Sequence, residues 1–132
     1  MSYDLGVWHG ELPLDDDQAG NLYVKLCEER WVPIEENAAT LAFYNELSAR
    51  YPEIDDVPEE NLDECPWSCA HDRSGLHVLM AMRWSKYSEV APVVYELAEK
   101  HGLICYNPQE GKVMLPNKLK LNTKQKRPWF RF

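Results

Sequence analysis

Side chains that could bind an anion or transfer a proton lie on two predicted strands. Asp4 and Trp8 belong to the first strand, and His77 and Arg83 belong to the second. Histidine titrates near neutral pH and arginine forms paired hydrogen bonds with carboxylate or phosphate, so the groups could bind an anion or act in acid-base catalysis. The alternative is an ordinary cross-strand pair between Asp4 and Arg83. Spacing alone does not place these groups within hydrogen-bonding distance, so no catalytic residue is predicted.

Two uses of this face are consistent with the sequence. The face could contact another protein, or two copies of the chain could join through their open sheets and enclose a small-molecule site or an active site. Tyr106, on a later predicted strand, would complete the set. The predicted ligand- or partner-binding residues are Asp4, Trp8, His77, Arg83 and Tyr106. No cofactor is predicted.

Cysteine and histidine occur close together at Cys65, Cys69 and His71, where they could ligate zinc or supply a nucleophile. Zinc-binding pairs normally come with a second pair at similar spacing, which the chain lacks. A nucleophilic cysteine needs a base and an orienting group, and the sequence identifies neither. Four dispersed cysteines, two of them on predicted apolar faces, favour reduced thiols and no metal site.

Hydrophobic periodicity predicts the elements that must position these residues. Alternation of apolar and polar residues indicates strands, and apolar residues three or four apart indicate helices. Aspartates cap a helix start, and Gly102 supplies a left-handed helix end. The predicted elements, in chain order, are a strand at 2–9, helices after Asp15 and at about 35–50, a short strand near 65–69, a strand at 76–84, a helix from Val90 to Gly102, and strands at 103–106 and 112–115.

This order predicts an α+β fold. The two-helix first crossover and the later strand-helix-strand unit match a ferredoxin-like split β-α-β sandwich, with a mostly antiparallel sheet and helices on one face. In this prediction the first and third strands run parallel at the centre of the sheet. Residues 1–116 would form a single domain, and residues 117–132 a basic, aromatic C-terminal tail.

Charge divides the chain into two unlike parts. The net charge is −8, but all 22 acidic residues lie at positions 1–110 beside seven basic ones, while positions 111–132 hold seven basic residues and no acid. Residues 52–64 form an acidic segment that is predicted to be a solvated loop. The body should repel nucleic acid, and the tail could bind single-stranded nucleic acid, bind a protein, or fold back on the acidic surface.

Four motifs together carry a resemblance to a known family. They are SYDLGVW at 2–8, PWS at 66–68, RWS at 83–85 and HGLICYNPQ at 101–109. Over about residues 2–115 the chain resembles a mostly bacterial family of small acidic proteins with no assigned activity. The family tends to have Asp-Pro-Gln where this chain has Asn107-Pro108-Gln109, which argues against a carboxylate role there. The tail after Pro116 looks additional to the family pattern.

The leading hypothesis is a non-catalytic protein-binding or regulatory domain of the inhibitor or immunity type. Strong negative charge speeds capture of basic proteins, which makes a basic protein the expected partner. The alternative is a small-molecule-binding domain or enzyme that uses the open sheet face, as a homodimer. No apolar run is long enough for a membrane helix, so we expect a cytoplasmic protein that does not contact membranes and binds nucleic acid only through its tail.

Overall fold

Five strands and three α-helices are present within residues 2–120, and all but one lie near their predicted positions. The short strand predicted near 65–69 is wrong: Trp67 forms only an isolated bridge with Met82, and the short second strand lies at Asp72–Arg73. The structure is a computed structural model that describes residues 2–120. It confirms an α+β fold with an antiparallel sheet. The elements are β1 (Ser2–Trp8), α1 (Asp16–Cys27), α2 (Ala38–Arg50), two 3₁₀ helices (Ile54–Asp56 and Glu59–Glu64), β2 (Asp72–Arg73), β3 (His77–Arg83), α3 (Tyr87–Lys100), β4 (Ile104–Asn107) and β5 (Lys112–Met114).

The strands lie in the order β2-β3-β1-β4-β5, and every neighbouring pair is antiparallel. The predicted parallel pairing of the first and third strands is therefore wrong. β2 and β3 form a hairpin, which reverses the chain, so β3 returns alongside β1 in the opposite direction. β3 and β4 consequently run parallel on either side of β1, with α3 as their connection. The ferredoxin-like description is not confirmed.

Helices cover both faces of the sheet, and the prediction of helices on one face is also wrong. One face packs against α2 and α3, and the other packs against α1. The first core is built from Leu5, Val7, Met80 and Met82 of the strands with Phe43, Leu47, Val90 and Val94 of the helices. The second is built from Trp8, Ile104 and Tyr106 with Ala19, Leu22 and Leu26. Because β4 adds large apolar groups beside Trp8, that face also has to be covered by a helix.

Two glycines allow α1 to approach the sheet closely. A Cβ atom at Gly6 of β1 would lie 2.8 Å from Cδ1 of Tyr23. A Cβ atom at Gly20 of α1 would lie 2.8 Å from the hydroxyl oxygen of Tyr106. A side chain at either position would therefore require the tyrosine ring or the helix to move.

Helix ends follow the predicted chemistry. Asp15 is the N-cap of α1 and forms a reciprocal capping box with Gln18. α2 begins at Ala38 with Asn37 as its N-cap, a few residues later than predicted. After α3, Gly102 has a φ of 67°, the left-handed conformation expected of a glycine at a helix end.

The first residues of the predicted tail pack against the domain. Residues 117–120 are helical, and Leu119 is buried in the same apolar cluster as Trp8. Residues 121–132 lie outside the described part of the chain.

Asn107 satisfies a buried polar network at the end of β4. Its Nδ2 donates to the hydroxyls of Tyr3, at 2.8 Å, and Tyr95, at 3.2 Å. Its Oδ1 accepts from the backbone N–H groups of Gln109 and Glu110 and from Nε2 of Gln109. The amide thus links β1, α3 and the turn before β5.

Gln109 extends the pairing of β1 beyond the end of β4. β1 pairs with β4 only from Gly6 to Trp8. The backbone N–H of Asp4 donates to Oε1 of Gln109 at 2.6 Å, and Nε2 of Gln109 donates to the carbonyl of Asp4 at 2.7 Å. The Asn-Pro-Gln motif therefore has a structural role in this fold.

Replacing Asn107 by alanine should lower the free energy of unfolding by about 2–3 kcal/mol, because it leaves several buried donors and acceptors unpaired. Asn107→Asp is the matched control, since a carboxylate keeps the acceptors for the turn N–H groups and can accept from both tyrosines. Urea unfolding followed by circular dichroism measures both variants. Equal losses in the two would contradict this role.

Candidate functional site

The five predicted site residues do lie on one face of the sheet. Strand register places Trp8 opposite His77, Gly6 opposite Tyr106, and Ser2 opposite Arg83. That face is not open, because α1 covers the end that carries the large aromatic side chains. Trp8 is 0% exposed. It is therefore not available to a partner or a second copy in this structure.

Asp4 and Arg83 do not form the ion pair considered as the alternative. Asp4 lies opposite Ala81 and accepts a hydrogen bond from Oγ of Ser2 at 2.7 Å. The guanidinium of Arg83 instead contacts backbone carbonyls of Leu62, Asp63 and Cys65. The two charged groups therefore do not combine into one binding site.

His77 belongs to a small network in the β2–β3 hairpin. Its Nδ1 lies 3.0 Å from Oγ of Ser74, and its Nε2 lies 3.2 Å from Oδ1 of Asp72. Oγ of Ser74 also accepts the backbone N–H of Leu76 at 3.0 Å. Although serine, histidine and aspartate resemble a nucleophilic triad by type, the serine here bonds the turn backbone, and we assign the network to hairpin stability.

Tyr23 and Cys27 of α1 lie near this face, and their surroundings raise both pKa values. Burial raises the pKa of Tyr23 above its ordinary value, and burial likewise raises the pKa of Cys27. Burial also raises the pKa of Cys105 to about 12. Because the thiolate is the nucleophilic form, neither thiol is activated for attack.

Cys65, Cys69 and His71 do not form a metal site with other side chains of residues 2–120. In this range no three histidine, cysteine, aspartate or glutamate side chains are grouped to hold a metal ion. All four cysteines are free; Cys65 is buried and Cys69 is exposed.

A polar cluster that the sequence did not reveal surrounds His71. The Glu53 carboxylate accepts the backbone N–H of His71 at 2.7 Å and the hydroxyl of Tyr44. The guanidinium of Arg73 lies 4.0 Å from the centre of the Tyr44 ring. The imidazole packs edge-on against Trp67, with ring centres 4.3 Å apart. These residues come from four separate parts of the chain, so no spacing rule could have joined them.

His71 is buried in its neutral form. His71 is 9% exposed, and neither of its ring nitrogens has a hydrogen-bond partner among residues 2–120. Burial lowers the pKa of His71; the Glu53 carboxylate opposes this and Arg73 adds to it. Burial would raise the pKa of Glu53, but the hydrogen bonds from Tyr44 and His71 bring it below its ordinary value.

Arg83 holds the acidic segment (residues 52–64) by its backbone. Nη1 donates to the carbonyls of Leu62, Asp63 and Cys65 at 3.2, 3.1 and 3.2 Å. These carbonyls lie at the end of the second 3₁₀ helix, where unpaired acceptors attract a cation. The segment predicted as a solvated loop is thus ordered into two short helices.

The carboxylates from position 54 to 64 face solvent and form no ion pair with another residue between positions 2 and 120. All six are exposed. No ion pair formed within the described residues involves any of them, since the five ion pairs lie elsewhere. They are Asp55, Asp56, Glu59, Glu60, Asp63 and Glu64.

No family model, no curated protein and no solved structure matches the chain. The family resemblance seen in the sequence motifs therefore stays a prediction.

No helix in residues 2–120 is long and apolar enough to cross a membrane. The proposed nucleic-acid role of the tail concerns residues that are mostly outside the described part of the chain.

His71→Phe should leave stability at pH 7 unchanged or raise it by about 1 kcal/mol, because it removes two unpaired buried nitrogens and keeps the ring contact with Trp67. A destabilised variant at pH 7 would mean that the nitrogens have a hydrogen-bond partner outside residues 2–120, and would contradict the assignment of His71 as an unpaired buried group.

The same variant should change the pH dependence of stability. The folded state lowers the pKa of His71, so the unfolded chain binds more protons, and stability should fall as the pH drops below about 6.5. His71→Phe should flatten that decline between pH 6.5 and 5, a range above the titration of Glu53. Urea unfolding at several pH values measures it, with His9→Phe as the control at a half-buried histidine. An unchanged slope in His71→Phe contradicts the assignment.

Proposed function

We propose that this protein is a non-catalytic binding or regulatory domain, of the inhibitor or immunity type, that engages a basic protein through its acidic segment. The observation that carries the proposal is the way Arg83 binds the segment. Its guanidinium could neutralise a nearby carboxylate, but it binds three backbone carbonyls instead. The segment is thereby ordered while its negative charges stay available.

Apolar contacts with the core also hold the acidic segment in place. Ile54 and Val57 are partly buried and pack against the core formed with α2 and α3. The Arg83 contacts and these apolar contacts together fix the backbone of the segment. Neighbouring carboxylates therefore stay close together, although like charges repel. An oppositely charged partner would relieve that repulsion on binding.

Electrostatics also favours a basic protein over other partners. Positions 1–110 carry 22 acidic and seven basic residues, a balance of −15. Such a surface repels nucleic acid and accelerates the encounter with a positively charged protein. The cost of desolvating the carboxylates limits the gain in affinity, so we expect the effect mainly on the association rate and its salt dependence.

A small-molecule site or active site between two open sheets has less support. It requires Trp8 and Tyr106 to face a shared cavity, and both are buried beneath α1. His77 and Arg83 are committed to separate networks.

Neutralising four carboxylates of the segment should weaken binding of a basic probe. The test variant carries Asp55→Asn, Asp56→Asn, Glu59→Gln and Glu60→Gln in the full chain. Its affinity for a fluorescein-labelled hexa-arginine peptide at low salt should fall about tenfold, measured by fluorescence anisotropy, because clustered charges act together on one partner.

The matched control removes the same charge from scattered exposed positions: Glu11→Gln, Glu35→Gln, Glu96→Gln and Glu110→Gln. It should weaken the peptide by a much smaller factor. Equal weakening in both variants would show that net charge alone binds the peptide, which would dismiss the segment as the binding surface.

A further inference from the structure

The acidic segment forms one wall of a groove beside the C-terminal end of α2. The groove has a volume of about 280 Å³. Pockets for drug-sized ligands measure roughly 300–1,000 Å³, so this groove lies just below the size that suits a small-molecule substrate. A single long side chain is a better match.

Apolar groups form much of the groove lining. Tyr51, Val57, Pro58 and Pro66 contribute ring and aliphatic surface. Tyr51 and Val57 are half-buried and Pro66 is buried, so these walls are fixed by the core rather than by solvent-exposed side chains. Such walls can cover the methylene stem of a lysine or arginine while its charged end stays polar.

Two carboxylates lie in the same groove. Asp56 and Glu64 both line it, and neither has an ion-pair partner within residues 2–120. Arg50 is the only basic residue that lines the groove in the described part of the chain, so the lining there has two negative groups and one positive group. The groove therefore has both the shape for an aliphatic stem and an excess of negative charge for its end.

The wall already contacts a guanidinium. Cζ of Arg50 lies 5.9 Å from the centre of the Tyr51 ring, within the range of a cation–π contact. Because Arg50 is exposed, it can leave this ring at little cost. The ring is thus suited to a second guanidinium that enters from a partner.

We infer that this groove receives one arginine side chain of the basic partner, with its guanidinium beside Asp56 and Glu64 and its stem against Tyr51, Val57 and Pro58. Arginine fits better than lysine because its planar end can stack on the tyrosine ring and form paired hydrogen bonds with a carboxylate. The inference rests on the proposed function, since it names the residue type that the acidic segment recognises.

The probe for this site is N-acetyl-argininamide, titrated into the ¹⁵N-labelled full chain and followed by NMR. Amide shifts should concentrate at Tyr51, Val57 and Asn61. N-acetyl-citrullinamide, which has the same shape without the charge, should bind about fivefold more weakly or not at all. Equal binding of the two compounds, or shifts located elsewhere, would overturn the inference.

A pair of double variants locates the charge. Asp56→Asn with Glu64→Gln should weaken the arginine probe about fivefold, because both groove carboxylates are removed. Asp55→Asn with Glu60→Gln removes the same charge from the same segment outside the groove and should leave the affinity nearly unchanged. Equal weakening in the two variants also overturns the inference.

Hexa-arginine binding distinguishes the two failures. If that peptide depends on the acidic segment while the arginine probe does not distinguish the double variants, the groove inference fails and the proposed function stands. If hexa-arginine binding does not depend on the segment, the proposed function fails and the groove inference fails with it.

Discussion

A single arginine side chain determines what the acidic part of this protein can do. Arg83 binds three carbonyl oxygens at the end of a 3₁₀ helix, and this contact orders a segment whose composition favours disorder. Because the guanidinium bonds the backbone, it does not cancel the neighbouring carboxylates. The negative surface, the groove next to it and the proposed partner chemistry all depend on Arg83 binding backbone carbonyls and not carboxylates.

The sheet provides the rigid support for this arrangement. β1 pairs with β3 along its whole length and with β4 over its second half, and helices bury both of its faces. Arg83 lies at the end of β3, and its backbone N–H also donates to the carbonyl of Pro66. The chain that follows the acidic segment is thus joined to the same strand that holds the segment.

Local signals in the sequence predicted the elements well, and contacts between distant residues were not predictable. The helix start at Asp15, the helix end at Gly102 and the strands β1 and β3 could be predicted, because each depends on residues only a few positions apart. The prediction of an open sheet face was wrong because, in the sequence, Trp8 is one aromatic residue among polar ones. In the structure Ile104 and Tyr106 of another strand pack beside Trp8, and this apolar surface requires the cover of α1. Glu53 accepts a backbone N–H from His71, 18 positions away, and Arg83 donates to backbone carbonyls 18 to 21 positions away. Because each of these contacts uses a backbone group, it leaves no trace in residue type.

Hydrogen exchange of the acidic segment, compared between the natural chain and Arg83→Lys, tests the central claim most directly. The N–H groups of Asn61 and Cys65 donate to the carbonyls of Pro58 and Leu62, and should exchange slowly in the natural chain. Lysine keeps the charge, but its ammonium nitrogen is one bond closer to the backbone than Nη1 of arginine and falls short of the three carbonyls. Exchange at these two amides should therefore accelerate while amides of β1 and β4 keep their protection. Fast exchange in the natural chain, or no change in the variant, would contradict the claim that Arg83 orders the segment.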